Sequence, residues 1–158
     1  MRKAPGFTTI IVMAVLIAAL FTSCAKSSSD LETFKKLAEK NSYEIHNVTD
    51  QYINSPQIKT ATIAAPKDRK FQIEFYTITD VESAQTIFQA QGKVIDSYQG
   101  DGADSKVSNG KNYAKRTVVT KDNKYLMVSY INNTVLYVPP TDKANRKEIE
   151  KFIKDFNY

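Results

Sequence analysis

The sequence predicts an α+β fold: a single antiparallel sheet of about five to six strands, with three helices packed on one or both faces. Two observations carry this. Segments with strand-like alternation are joined by very short polar turns, and short connections force antiparallel neighbours. Three further segments place apolar residues at helical spacing directly after a capping sequence. The element order reads α, two or three strands, α, three strands, α, which segregates helices and strands as α+β domains do.

The first helix is predicted from about Asp30 to Lys40, opened by the Ser29-x-x-Glu32 capping box. Leu31, Phe34, Leu37 and Ala38 lie on one face, and Asn41-Ser42 ends the helix. Tyr43–Val48 alternates as a short strand. Ile58–Ala65 and Phe71–Thr77 read as strands around the turn Pro66-Lys67-Asp68-Arg69. Thr79-x-x-Glu82 opens a second helix, with Val81, Ala84, Ile87 and Phe88 on its apolar face. It runs to about Gln91, where Gly92 either ends it or merely weakens it, since Val94 and Ile95 extend the face. Ser97–Lys111 holds three glycines and almost nothing apolar, and reads as a long loop.

Tyr113–Thr120, Lys124–Ile131 and Thr134–Val138 follow as strands, closed by Lys121-Asp122-Asn123 and by Asn132-Asn133. Asparagine tolerates the positive φ that so tight a turn demands. The middle strand is apolar at both parities. Tyr125, Met127 and Ile131 face one way and Leu126, Val128 and Tyr130 the other, so both faces of this hairpin are expected to be covered. Pro139-Pro140 is expected to stop the sheet, and Asp142 to cap a last helix with the stripe Ile149, Phe152, Ile153 and Phe156.

The 158 residues, 42% hydrophobic and 25% charged, suit one domain. A single cysteine rules out an internal disulfide framework and a thiolate zinc site, and a lone histidine, His46, rules out multi-histidine metal centres. No cofactor is indicated. The net charge of +5 falls to +3 once Arg2 and Lys3 are set aside. That mild excess is compatible with an anionic surface nearby and does not indicate nucleic acid, for which a strong, clustered excess is expected.

The N-terminus has its own pattern. Met1-Arg2-Lys3 is basic, Ile10–Phe21 is uncharged and apolar, and the small residues Thr22 and Ser23 precede Cys24. This is the order of a secretory signal, and the apolar run is shorter than the roughly 20 residues of a membrane span. Phe21-Thr22-Ser23-Cys24 resembles the lipobox of bacterial lipoproteins, with Phe21 where that class prefers Leu. The resemblance implies cleavage between Ser23 and Cys24 and a diacylglycerol on the Cys24 sulfur. It further implies a protein held on the outer face of the cell membrane. Two acyl chains at one residue suffice for stable anchoring. The body is similar in general look to small lipoproteins of Gram-positive bacteria. Residues 1–23 are then a removed signal, 24–29 the lipidated end and serine-rich tether, and 30–158 the α+β domain. Ser23-Cys24-Ala25 also fits an ordinary signal-peptidase site, which would release an unlipidated binding or inhibitor domain.

Chemistry is sparse. His46 has Glu44 and Asp50 nearby in sequence but no nucleophile motif beside it. Asp96, Asp101 and Asp104 flank the glycine-rich segment without the spacing of a calcium loop. Glu74 lies mid-strand, as do Lys115 and Arg116, so neighbouring strands would pair them. Glu74, Arg116 and Tyr130 form a candidate ligand patch. The expected function is therefore a non-catalytic binding or interaction module of the cell envelope. Its ligand would be a protein or a glycan. A small hydrolase of cell-wall polymers is the alternative.

Overall fold

The computed structural model describes residues 30–98 and 104–158. The expected signal peptide, Ser23, Cys24, the tether and Asp101 lie outside these residues. Among the described residues no helix is long and apolar enough to cross a membrane.

The chain forms α1 (Leu31–Lys40), β1 (Glu44–Asn47), a 3₁₀ turn (Thr49–Tyr52), β2 (Ile58–Ala65), β3 (Ile73–Ile78) and α2 (Val81–Ser97). It continues with β4 (Asp104–Asn109), β5 (Tyr113–Val119), β6 (Lys124–Ile131), β7 (Thr134–Asp142), a 3₁₀ turn (Lys143–Asn145) and α3 (Arg146–Asp155). All strands join one antiparallel sheet of seven, in the order β1-β2-β3-β7-β6-β5-β4. Helices cover both faces. One core joins α1 and α3 to Phe75, Tyr125, Met127, Ile131 and Leu136. The other joins α2 to Ala61, Tyr76, Leu126, Val128 and Tyr130. The two parities of β6 thus enter separate cores, as its double apolar pattern requires.

The sheet has one strand more than expected. Residues 104–109 (DSKVSN) were expected to belong to a loop but pair with β5 from Asp104↔Val119 to Asn109↔Ala114. This edge strand is exposed along its whole length, so neither face needs to be apolar and no alternation marks it. The second helix passes through Gly92 to Ser97. A Cβ at Gly92 would stand 3.0 Å from Arg116 Nη1, so glycine here admits a neighbouring side chain and the helix continues.

Pro139-Pro140 does not stop the sheet either. Both residues lie within β7, where the register with β6 shifts between Tyr125↔Thr141 and Met127↔Val138. A bulge is one place where proline's missing N–H costs no ladder bond.

The helix starts follow one rule. Asp30 accepts from the Thr33 N–H at 2.8 Å, and Asp80 from the Ser83 N–H at 2.7 Å, so each aspartate caps one residue beyond the expected Ser29 or Thr79. Ser29 itself lies outside the described residues. Asp142 caps the 3₁₀ turn by accepting from the Ala144 N–H at 2.8 Å, and α3 begins after it. Asn123 (φ 61°) and Asn132 (φ 51°) take the positive φ their hairpins need.

Candidate functional site

The strongest cluster of polar side chains grows from the alternation Gln72-Glu74-Tyr76. Ile73 and Phe75 enter the core of the α1–α3 face, so period 2 sends Gln72, Glu74 and Tyr76 to the α2 face. There α2 lies over β6, β7 and β3, and the 3₁₀ turn lies over β2. Glu74 falls between these two covers and is half-buried. Register places His46, Ile63, Glu74 and Tyr137 in one row across β1, β2, β3 and β7.

Glu74 is held from two sides. Gln72 Nε2 donates to Oε1 at 2.5 Å, and the Tyr76 hydroxyl donates to Oε2. The Tyr52 and Tyr76 hydroxyls are 2.9 Å apart. Tyr76 has one proton and gives it to Glu74, so Tyr52 is the donor in that contact. The Tyr52 ring stands edge-on to that of Tyr76, with centroids 5.5 Å apart. The result is a chain of donors, Tyr52 to Tyr76 to Glu74, that fixes the carboxylate. Burial, then the Glu74 charge, pushes the Tyr76 phenol well above the ordinary tyrosine value. The same two causes raise Tyr137. Both remain protonated donors at neutral pH.

A groove of about 430 Å³ lies beside this cluster, lined by His46, Asn47, Val48, Ile63, Ala65, Arg69, Phe71 and Gln72. At its rim Glu44 Oε2 lies 3.7 Å from both His46 Nε2 and Arg69 Nη2. These contacts are solvent-exposed and contribute little to stability. Carboxylate, amide and imidazole groups around an open groove suit a neutral, hydroxyl-rich ligand. Among the described residues no three His, Cys, Asp or Glu side chains are grouped to hold a metal ion.

The expected patch of Glu74, Arg116 and Tyr130 is not assembled. β3 and β5 are not neighbours, because β7 and β6 lie between them. Arg116 shares the row of Glu74, but Tyr137 and Val128 separate the two. Arg116 Nη2 instead lies 2.7 Å from Asp96 Oδ1 on α2, and Nη1 donates to the Gly92 carbonyl at 3.4 Å. Tyr130 is buried under α2, edge-on to Phe88 at 5.3 Å, with Gln85 Nε2 donating to its hydroxyl at 3.3 Å. Only Glu74 faces the groove's side of the sheet free of α2's ion pair. Gln72 and Tyr76 were legible from the alternation around Glu74. Tyr52 was not, because it arrives on a 3₁₀ turn from a segment without periodicity.

No protein-family model matches the chain, and no curated protein matches it. A solved structure, the crystal structure of a GTP binding regulator from Thermotoga maritima, is similar over 81% of this chain and 84% of that one. The identity is 16% and the TM-score 0.47.

Proposed function

We propose that the protein is a lipid-anchored binding module on the outer face of the cell membrane. It takes a hydroxyl-rich envelope ligand, of glycan type, along the β1–β3 half of the α2 face. The observation behind the binding reading is Glu74: a half-buried carboxylate fixed by Gln72 and Tyr76 beside an open groove. Such a carboxylate keeps lone pairs for ligand hydroxyls and needs little reorganisation to accept them. The anchor reading rests on the sequence around Cys24.

Fatty-acid labelling is expected to mark the wild-type chain and leave Cys24→Ala unlabelled in the medium. An unlabelled, released wild type would overturn the anchor. For the site, residues 25–158 are expected to retain soluble fragments of wall glycan, with Glu74→Gln binding at least about tenfold more weakly, the loss of one charge-assisted hydrogen bond. Equal retention by both proteins would remove Glu74 from the site. Turnover of a wall polymer that His46→Ala or Glu74→Ala abolishes would instead establish the hydrolase.

A further inference from the structure

On the α1–α3 face a second cleft runs between α3 and the β4–β5 edge. Two adjoining cavities of about 770 and 600 Å³ share Arg146 and Glu150 as their common wall. Lys143 and Lys147 line the first, and Lys106 and Lys115 the second. Together the two linings carry five cationic side chains against the carboxylates of Asp142 and Glu150, a local charge of +3.

Beneath Arg146 lies an independent sign of a ligand. Tyr125 is fully buried, and its hydroxyl is without a hydrogen-bond partner among the described residues. A buried donor with no acceptor is uncommon and calls for an explanation. Arg146 Cζ sits 5.6 Å from the centre of the Tyr125 ring, so the wall shared by the two cavities lies over that side chain. Glu150 and Arg146, the residues that divide the cleft, are the charges the phenol feels. Arg146 Nε donates to Glu150 Oε1 at 2.8 Å in a part-exposed pair one helical turn apart, which leaves the Nη groups as the donors for an incoming oxyanion.

We propose that this cleft binds a phosphate ester, with Arg146 as its principal donor and the Tyr125 hydroxyl as a second donor uncovered when the guanidinium turns toward the ligand. The lysines along both cavities supply the long-range attraction and favour an extended anion. This site lies on the opposite face of the sheet from Glu74 and does not depend on the reading given above.

Calorimetric titration of residues 25–158, which lack the acyl anchor, with glycerol 3-phosphate, and their sedimentation with vesicles of phosphatidylglycerol or of phosphatidylcholine, test the proposal. Saturable, salt-sensitive binding of either anionic probe is expected, weakened about tenfold or more by Arg146→Gln and several-fold by Tyr125→Phe. Binding of the free ester assigns a soluble or polymeric phosphate. Binding of phosphatidylglycerol vesicles alone assigns a lipid headgroup. Tyr125→Phe removes only an unpartnered hydroxyl, so an unchanged urea midpoint separates loss of binding from loss of fold. Failure of both anionic probes to bind overturns the proposal. So does wild-type affinity in both variants.

Discussion

Phe34→Ala is expected to cost about 3–5 kcal/mol of folding stability, the range for truncating a fully buried phenylalanine. Phe34 is fully buried and is the ring through which α1 meets the rest of the core. It stacks on Phe75 of β3 at 5.2 Å and lies edge-on to Phe152 at 5.7 Å and Phe156 at 5.5 Å. One truncation therefore removes contacts with the sheet and with the C-terminal helix together. Domains of this size hold about 5–15 kcal/mol in all, so the loss takes a large share of the total. Leu37→Ala, at a partly buried position on the same helix, is expected to cost clearly less. Urea unfolding followed by circular dichroism measures both. Equal midpoints for the two variants would show that α1 is not docked through Phe34.

Alkali should unfold the domain cooperatively at about pH 11. Burial pushes the phenols of Tyr43, Tyr76, Tyr125 and Tyr158 above the ordinary tyrosine value. Glu148 adds to the shift at Tyr43, and Glu74 adds to it at Tyr76. A raised folded pKa means that the native state holds its protons more tightly than the unfolded chain. Stability is then complete below the unfolded value of about 10 and falls as pH rises beyond it. Each tyrosine contributes up to about 1.4 kcal/mol per pH unit, so four together remove about 5 kcal/mol by pH 11. Phenolate absorbance is expected to appear together with loss of near-ultraviolet dichroism. Tyr125→Phe, which loses no hydrogen bond, should shift the transition upward while leaving neutral stability nearly unchanged. Ionisation of these four residues near pH 10 in a chain that stays folded would contradict this account.

Local chemistry was legible in the sequence to different degrees. The apolar stripe Ile149, Phe152, Ile153 and Phe156 needed only helical period and is buried throughout. Helix starts slipped by one residue for one reason. In Ser29-Asp30 and Thr79-Asp80 two good caps stand side by side, and the capping box selects the hydroxyl where the structure uses the carboxylate. β4 was hidden because periodicity reports burial, and a two-sided exposed edge strand has none. Turn chemistry identifies hairpin partners such as β6 and β7, but it says nothing of the pairing of β3 with β7, which no turn joins. That long-range pairing decides whether Glu74 and Arg116 meet. It sets Tyr137 next to Glu74 and sends Arg116 to Asp96 instead.

The same β3–β7 pairing shapes how the chain can fold. β1-β2-β3 and β4-β5-β6-β7 are each runs of adjacent hairpins that form by short-range closure. They meet at four residue pairs, from Glu74↔Tyr137 to Thr77↔Thr134, and the last of these has 56 residues between its members. Closing a loop of that length costs about 3 kcal/mol more than closing a two-residue turn. Both meanders can therefore zip before the seam does, and the seam sets the rate at which the seven strands become one sheet. Glu74 and Tyr137 face each other across that seam, whereas the groove and the donors that fix Glu74 belong to the first meander alone.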